Sequence, residues 1–561
     1  MLYNGHTTEH FQRSFRKTLQ ELEAGPLNPL NYGIERGGTV SALDAQPIFE
    51  QQQRRLIEFI QPHVTRFSSA RWLFLLRRLS NDVFSGSRRT TLGYSRILAE
   101  VLTEETETVD TAAVDATGTY VFPTDDAQLR HLGRLVAVAD CIYDIHVHYR
   151  FAGKNCSFRS SRDDGILVPI VADDTRRAIE AYDTRNENSG AGLQIRLGIA
   201  SLADLDRKQQ RLTPDTVDIV LSWRLLDRQQ LIRVGTLCER LRLDPPLDYP
   251  AKSVLRTYEP SLISVDDIGA VFRTGEASIN VTLPLEFECN LLLLMIASRY
   301  VTSGTRLLRT IEVGYFILPE DEFHSRLESY FTPCVALLKR TIPNYAGPQC
   351  LESLVSVLEN CESNLWPLHQ LRSIRRTKGF LMIDVRAATV AVVMQTSLVP
   401  KDGRGANVRA YLFEDRVQNI IDQTAWRPSA RASVFRGRTL KRGNSPLTNI
   451  DAVGERDDTL LIVSCKSIPY SKEYDRGVFS AVRNASTTVR AAIERWQDVA
   501  QTLRRQPKGR NYDVTRWKQI VPIVCTPFAV YTEDERALSF ALPSLRSVCS
   551  AEELLNGLTR N

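Results

Sequence analysis

The sequence predicts a mixed α/β domain at the C-terminal end, preceded by a large, mostly α-helical region that also contains strands. Three observations predict this arrangement. The chain has 561 residues, of which 43% are hydrophobic, so it can form several domains with buried cores. In the first hundred residues, apolar side chains recur at three- and four-residue spacing, as in amphipathic helices. After residue 405, short apolar runs alternate with amphipathic segments, which is the pattern of a sheet covered by helices.

Breaks in composition divide the chain into four predicted parts. Residues 1–125 form a helical region that ends in an acidic linker, because the segment 97–129 has eight Asp and Glu and no Lys or Arg. Residues 126–250 are mixed and mostly helical, and residues 251–399 form an α+β middle domain. The fourth part, residues 400–561, begins with a short segment in which one proline and two glycines mark a boundary.

Periodicity and turn residues predict the individual elements. Before residue 400, helices are expected at 11–23, 48–60, 70–83 and 128–149, and a pair of strands at 379–395. After residue 400, the expected order is helix 408–423, strand 445–453, polar turn 454–458, strand 459–466, helix 474–505, strand 519–528 and helix 551–558. Ser550 is placed to cap the last of these helices.

Positive charge is concentrated in the C-terminal part. Residues 401–561 contain 26 Lys and Arg against 18 Asp and Glu, although the whole chain carries only +5. Six of these basic residues lie between the first helix and the first strand: Arg427, Arg431, Arg436, Arg438, Lys441 and Arg442. Trp426 and Phe435 are interleaved with them, and could stack on bases or pack inside the domain. This segment predicts contact with nucleic-acid phosphates; the alternative is a solvated basic face.

Four side chains around the second C-terminal strand could form one polar site. Side chains alternate along a strand, so Ser464 and Lys466 face the same side, and Asp451 lies across the hairpin from them. On the preceding helix, Glu414 lies at the edge of the apolar stripe. Mg²⁺ prefers carboxylate ligands, and a lysine beside the ion can orient a water molecule. The alternative is structural, with Lys466 reaching solvent by its long stem and Asp451 capping a turn.

The hairpin that contains Asp451 and ends in Ser464-Cys465-Lys466 resembles the PD-(D/E)xK, or restriction-endonuclease-like, nuclease superfamily. The likeness extends over about residues 403–560, and it implies an αβββαβ-type core with a mixed sheet flanked by helices. It also implies hydrolysis of DNA with Mg²⁺ or Mn²⁺, with Asp451 and Glu414 holding the metal and Lys466 positioning the attacking water. We therefore expect a metal-dependent DNA endonuclease whose N-terminal region recognises or regulates, with phage defence or a mobile element as its setting.

Ser464 departs from the pattern of the superfamily, which has an acidic residue at this position. A hydroxyl is a weaker metal ligand than a carboxylate, so the departure leaves two hypotheses. In the first, Glu473 or Asp475, near the start of the next helix, supplies the missing acid and the site is active. In the second, the site is degenerate and the protein is a nucleic-acid-binding or scaffolding subunit.

Composition argues against several other kinds of protein. All eight histidines precede residue 401, which excludes a histidine–metal nuclease in the C-terminal part. The chain has no GxxxxGK[ST] phosphate loop. Its ten cysteines are scattered, which predicts reduced thiols in a cytoplasmic protein. No apolar run approaches the roughly 20 residues of a membrane helix. DNA is the expected partner, and a partner protein or a homodimer stays open.

Overall fold

A computed structural model provides the structure of the chain. It describes residues 5–79, 92–104, 106, 108–114, 120–122, 124–161, 166–196, 219–225, 258–265, 285–301, 305–342, 345–361, 371–395, 403–468 and 471–560.

Five helices form the N-terminal core. They are α1 (Gly5–Ala24), α2 (Ala42–Val64), α3 (Ser69–Arg78), α4 (Leu92–Leu102) and α5 (Asp126–Gly153). Side chains cap three of them: Ser41 accepts from the Asp44 amide, Ser68 from the Arg71 amide, and Asp125 forms a capping box with Gln128. The four predicted helices of this region are confirmed, although the one predicted at 70–83 ends at Arg78 because Leu79 has an extended conformation.

Helix α5 packs in the same hydrophobic core as α1, α2 and α4. The predicted boundary at residues 125/126 therefore runs through one core, because the apolar face of α5 is covered by the helices that precede it. A three-stranded sheet of order β1 (Thr39–Val40), β4 (Ser157–Ser160), β5 (Leu167–Ile170) lies beside this core, followed by α6 (Asp173–Arg196). A short hairpin joins β2 (Ala113–Val114) to β3 (Tyr120–Val121).

The middle region is built around α7 (Leu285–Val301), which is buried along nearly its whole length. The helices α8 (Thr305–Val313), α9 (Glu320–Thr341), α10 (Leu351–Glu359) and α11 (Val385–Gln395) accompany it, with a three-stranded sheet of order β8 (Phe316–Pro319), β10 (Phe380–Ile383), β9 (Ile374–Thr377). The strands β6 (Ile219–Leu225) and β7 (Tyr258–Ser264) pair antiparallel.

The prediction of two strands at 379–395 is wrong in its second half. Strand β10 ends at Ile383, and residues 385–395 form helix α11. The Asp384 carboxylate accepts a hydrogen bond from the Ala387 amide at 3.0 Å, so it caps the helix. The run of Val and Ala that suggested a strand belongs instead to a buried helix, where tertiary packing overrides β propensity.

A buried cluster of charges joins the N-terminal core to the middle region. Arg77 of α3 donates to Glu100 at 3.0 Å and to Asp384 at 2.6 Å, and all three side chains are essentially without solvent contact. Arg375 of β9 pairs with Asp384 at 3.2 Å and also with Glu104. The acidic linker expected around residues 97–129 is thus wrong for Glu100 and Glu104, which are buried and paired with arginines: Glu100 with Arg77 and Arg386, and Glu104 with Arg375.

The C-terminal unit has a four-stranded mixed sheet. Its order is β13 (Ala452–Arg456), β14 (Thr459–Cys465), β15 (Gln519–Thr526), β18 (Val548–Ser550), with β13 antiparallel to β14 and the other pairs parallel. The accompanying helices are α12 (Gly403–Asp422), α13 (Ala430–Ser433), α14 (Lys472–Arg476), α15 (Phe479–Arg505), α16 (Glu535–Leu538) and α17 (Ala551–Arg560). Two hairpins, β11 (Thr439–Arg442) with β12 (Ser445–Asn449) and β16 (Phe540–Leu542) with β17 (Leu545–Arg546), complete it.

Helices cover both faces of this sheet. Helices α12 and α17 pack on one face through side chains such as Val417 and Leu554. Helix α15 packs on the other face, where the Trp496 indole donates to the Ile462 carbonyl at 3.0 Å. Ser550 caps α17 as predicted, with Glu553 completing a capping box. The expected mixed α/β architecture of this part is confirmed.

Three predicted elements of the C-terminal part differ from expectation. The strand predicted at 445–453 is divided between β12 and β13, which belong to different sheets. The turn predicted at 454–458 is confined to Asp457 and Asp458, because Gly454 lies within β13 under the side chain of Ile421, which a Cβ at that position would approach to 3.1 Å. The long helix predicted at 474–505 is two helices, because Gly477 adopts a left-handed conformation with φ of 84°.

We expect the buried charge cluster to be far more sensitive to substitution than a neighbouring exposed pair. Arg375→Met leaves Glu104 buried without its cation, which costs about 3–5 kcal/mol of unfolding free energy. Arg376→Met, one residue further along β9, removes a half-exposed guanidinium that pairs with Glu320 and Glu359 near the surface, and it costs about 1 kcal/mol or less. Chemical denaturation of both variants provides the comparison. Equal effects of the two substitutions would contradict a stabilising role for the cluster's pairing.

Candidate active site at the edge of the C-terminal sheet

The candidate site lies where the parallel strands of the C-terminal sheet end. Strands β14 and β15 run side by side, with Cys465 opposite Cys525. Strand β13 runs the other way, so Asp451, just before its first residue, lies at the same edge. Ligands of open α/β sheets bind at this carboxyl edge, because the loops that leave the strands there enclose a crevice.

Asp451 is held by the backbone of the neighbouring strand. One carboxylate oxygen accepts from the Cys465 amide at 2.7 Å and lies 3.4 Å from the Ser464 hydroxyl, which can donate to it. Partial burial raises the pKa of the Asp451 carboxyl above its ordinary value, while the Cys465 amide and then the Lys466 ammonium act to lower it. The pairing of β13 with β14 therefore fixes the carboxylate before any ligand is bound.

Glu414 and Lys466 belong to the same electrostatic neighbourhood. Burial raises the pKa of Glu414, and the negative charge of Asp451 raises it further, whereas Arg436 and Lys466 lower it. Lys466 follows the last residue of β14, and its amide donates to the Cys525 carbonyl at 2.8 Å. The structure thus brings three of the predicted side chains, Asp451, Glu414 and Lys466, to one edge of the sheet.

Ser464 lies beside Asp451, in the place expected from strand alternation. Ser464 is 6% exposed. Alternation along β14 places it on the same side of the sheet as Leu460 and Ile462, which pack under α15. Cys465 faces the opposite side, packed under α12 and α17. Burial, followed by the charges of Asp451 and Glu414, holds the pKa of the Cys465 thiol well above its ordinary value. This thiol is therefore protonated and apolar in character.

The two acids considered as replacements for Ser464 lie on α14. Asp475 faces α5, where its carboxylate is 3.7 Å from the Arg150 guanidinium, and the Arg150 side chain also donates to its backbone carbonyl at 3.1 Å. Glu473 is exposed on the same short helix. The structure thus engages Asp475 in the contact with the N-terminal core, which favours Glu473 as the acid that is accessible to solvent.

The two carboxyl groups suit a hard divalent cation. Burial makes it costly to ionise the carboxyl groups of Asp451 and Glu414. A bound cation would offset this cost, because it stabilises the charged carboxylates. In the part of the chain that the structure describes, no group of three or more His, Cys, Asp or Glu side chains is placed to hold a metal ion. A cation at this edge would therefore rely on two carboxylates, with water and a substrate phosphate as further ligands.

The predicted basic residues are mostly exposed, and two of them, Arg436 and Arg438, flank Gly437, whose amide donates to the Ile450 carbonyl next to Asp451. Arg427, Arg431, Arg438, Lys441 and Arg442 are exposed, and Arg436 is partly buried. Arg436 contacts the site itself, since its Nε donates to the Asp451 carbonyl at 3.4 Å and its terminal nitrogen pairs with Asp415. Trp426 and Phe435 are buried, the latter edge-on to Trp517 at 5.9 Å, so these rings pack inside the domain.

Strand β11 and the role of Arg436 are the features that sequence reasoning missed. The segment Thr439–Arg442 has one buried residue, Leu440, among exposed polar ones, so its apolar period is too short to identify a strand. A better signal was the pair Gly443-Asn444 between two polar runs, which favours a tight hairpin turn.

The comparisons give no further guide to the identity of the protein. No family model, no curated protein and no solved structure matches the chain. Of the helices in the described ranges, none has the length and apolarity that crossing a membrane requires. The nine cysteines within those ranges are free, and eight of them are buried.

We expect Asp451→Asn to stabilise the fold at neutral pH in the absence of metal. The raised pKa means that the protonated carboxyl is the form the fold prefers, so stability is fully present below the unfolded-state pKa and is lost as the pH rises through the folded-state pKa. Asparagine keeps an acceptor for the Cys465 amide and carries no charge. Thermal unfolding in EDTA should show a higher midpoint for the variant at pH 7.5 and a narrowing difference toward acid.

The control for this measurement is Asp457→Asn. Asp457 lies at the opposite end of the same hairpin and is 88% exposed, and asparagine tolerates its positive φ. Its midpoint should follow that of the unchanged protein across the pH range. A lower midpoint for Asp451→Asn at every pH would show that the carboxylate is structural.

Proposed function

We propose that residues 403–560 hydrolyse phosphodiester bonds in DNA with the help of Mg²⁺ or Mn²⁺. The observation that carries the proposal is the meeting of Asp451, Glu414 and Lys466 at one sheet edge, beside exposed basic residues. The order of α12, β13, β14, α15 and β15 supports a restriction-endonuclease-like core, as the resemblance of the hairpin implies.

Each of the three side chains has a chemical task in this proposal. Asp451 and Glu414 would hold the metal, which when bound polarises the phosphodiester and makes water more acidic. The Lys466 ammonium orients the water that attacks phosphorus and offsets negative charge as it develops on the phosphate oxygens. Arg436 holds the backbone of Asp451, and the exposed arginines around it bind the flanking phosphates.

A second candidate function is DNA binding without catalysis, and Ser464 favours it. The Ser464 hydroxyl lies against the Asp451 carboxylate, so the site carries one negative charge fewer than the superfamily pattern provides. Such a domain would bind nucleic acid or hold a partner by the same basic surface. The two functions differ in whether the carboxylates bind a cation and whether a phosphodiester bond is broken.

Cleavage of supercoiled plasmid separates the two functions. With Mg²⁺ or Mn²⁺ we expect the unchanged full chain to nick or linearise the plasmid, and EDTA to abolish this. Asp451→Asn and Lys466→Met should each lower the rate by about 10²-fold or more, because each removes a group that acts on the transition state. The Asp457→Asn variant should cleave at the unchanged rate. Equal cleavage by all proteins would reject the site.

Metal binding is measured independently of cleavage. Mg²⁺ at millimolar concentration should raise the thermal midpoint of the unchanged chain, because a ligand that binds only the folded state stabilises it. The Asp451→Asn and Glu414→Gln variants should lose this shift. The absence of both cleavage and a metal-induced shift, with DNA binding retained, would favour the non-catalytic function.

A further inference from the structure

The hairpin β11–β12 extends outside the four-stranded sheet as a separate two-stranded ribbon. Its base is anchored, because Leu440 is fully buried in the core under α15 and lies opposite Thr448. A bulge follows at Lys441, and the residues beyond it, from Lys441 to Pro446, are all exposed. A two-residue turn closes the tip, and Gly443 supplies the positive φ of 56° that this turn requires.

The ribbon and the three residues before it are basic: Lys441 and Arg442 lie in the ribbon, and Arg436 and Arg438 precede it. The segment 436–449 contains four Arg and Lys and no acidic residue. Arg438, Lys441 and Arg442 are exposed, so these cations are available to a polyanion. A concentration of one sign of charge on a projecting element creates a local potential that attracts phosphates.

A neighbouring loop makes the ribbon rigid. The Asn511 side chain accepts from the Lys441 amide at 2.7 Å and donates to the Thr439 carbonyl at 2.9 Å. The Arg510 amide donates to the Lys441 carbonyl at 3.0 Å, and its guanidinium to the Asn444 side chain at 2.7 Å. Residues 510 and 511 thereby occupy the backbone hydrogen-bonding groups on the outer edge of β11. A strand from another chain therefore cannot pair with this edge.

The ribbon leads directly into the candidate site. Strand β12 ends at Asn449, two residues before Asp451, and the Gly437 amide donates to the Ile450 carbonyl at 2.8 Å. The base of the ribbon therefore adjoins the edge of the sheet at which Asp451 and Lys466 lie, and its tip is bonded to Arg510, in the loop that precedes β15.

We propose that the β11–β12 ribbon enters the major groove of B-form duplex DNA and places the adjoining backbone at the Asp451 edge. This inference rests on the proposed function and specifies its substrate. The major groove of B-DNA, about 12 Å wide, admits a two-stranded β-ribbon. The major groove of A-form RNA is too narrow for one.

The aromatic residues argue for a duplex rather than a single strand. Proteins that bind single strands use exposed aromatic rings on which the bases stack. Here the two rings within the basic segment, Trp426 and Phe435, are 4% and 5% exposed. The accessible part of the segment offers cations and small polar side chains, which suit phosphates and the groove edges of paired bases.

Fluorescence anisotropy with labelled oligonucleotides tests this inference on the full chain in EDTA, where no cleavage occurs. The variant Lys441→Ser/Arg442→Ser should bind duplex DNA about tenfold or more weakly. The slope of its log affinity against log salt concentration should decrease by the amount expected for the loss of roughly two phosphate contacts. The matched control, Arg13→Ser/Lys17→Ser on the exposed face of α1, loses the same charge and should bind as the unchanged chain does. Thermal midpoints of both variants should be unchanged.

The groove that the protein occupies distinguishes insertion of the ribbon from non-specific electrostatic binding to the DNA phosphates. A duplex with glucosylated hydroxymethylcytosine, which fills the major groove, should weaken binding of the unchanged chain and hardly affect the ribbon variant. Netropsin, which occupies the minor groove, should not compete. Competition by netropsin, or an equal loss by the ribbon variant on double-stranded RNA and single-stranded DNA, would overturn the inference.

The outcomes separate this inference from the proposed hydrolysis. Plasmid cleavage without any groove preference would reject the ribbon's role and leave the active site standing. A groove preference without cleavage would support the ribbon's role in a domain that only binds DNA.

Discussion

The structure depends on charges that are buried together. Arg77 and Arg375 meet Glu100, Glu104 and Asp384 between two hydrophobic cores, out of contact with water. Each of these ions would be costly to bury alone, so the segments that carry them are stable only when they come together. Asp384 also caps α11 and accepts from two arginines, so its correct placement fixes the end of β10 and the start of the next helix. A hydrophobic contact would tolerate sliding, whereas directional pairing sets one register for both cores.

Local chemistry made part of this structure predictable from sequence. The cap at Ser550, the period of α5 and the uninterrupted strand ending at Cys465 depend on near neighbours, and all three were predicted. The burial of Glu104 and the helix at 385–395 were not, because each depends on residues that lie far away in sequence, such as Arg375 for Glu104. For the site, strand alternation placed Ser464 and Asp451 together. It gave no sign of Arg436, which reaches the Asp451 carbonyl from a loop.

The candidate site holds two carboxyl groups in positions where their ionised forms are unfavourable. Backbone pairing holds Asp451. Burial makes both carboxyls costly to ionise, and the charge of Asp451 adds to the cost for Glu414. A fold that holds such groups in place gives up stability where a cation or a polyanion would restore it. The nearby cations Arg436 and Lys466 lower the cost of ionising these carboxyls. Ser464 adds no third carboxylate to the site. With a hydroxyl at Ser464, the unliganded site has fewer mutually repelling charges than it would have with a carboxylate there.

The contacts between the N-terminal core and the C-terminal sheet determine which part of the chain forms a complete folding unit. Gly153 and Gly477 lie so close that a Cβ on the first would approach the carbonyl of the second to 2.0 Å. Ala178 and Ile179 of α6 are part of the core under the sheet, and Arg185 forms a nearly buried ion pair with Glu553. A gene fragment that encodes only the last part of the chain would therefore lack pieces of its own interior. The C-terminal unit therefore completes its packing with residues of α5 and α6.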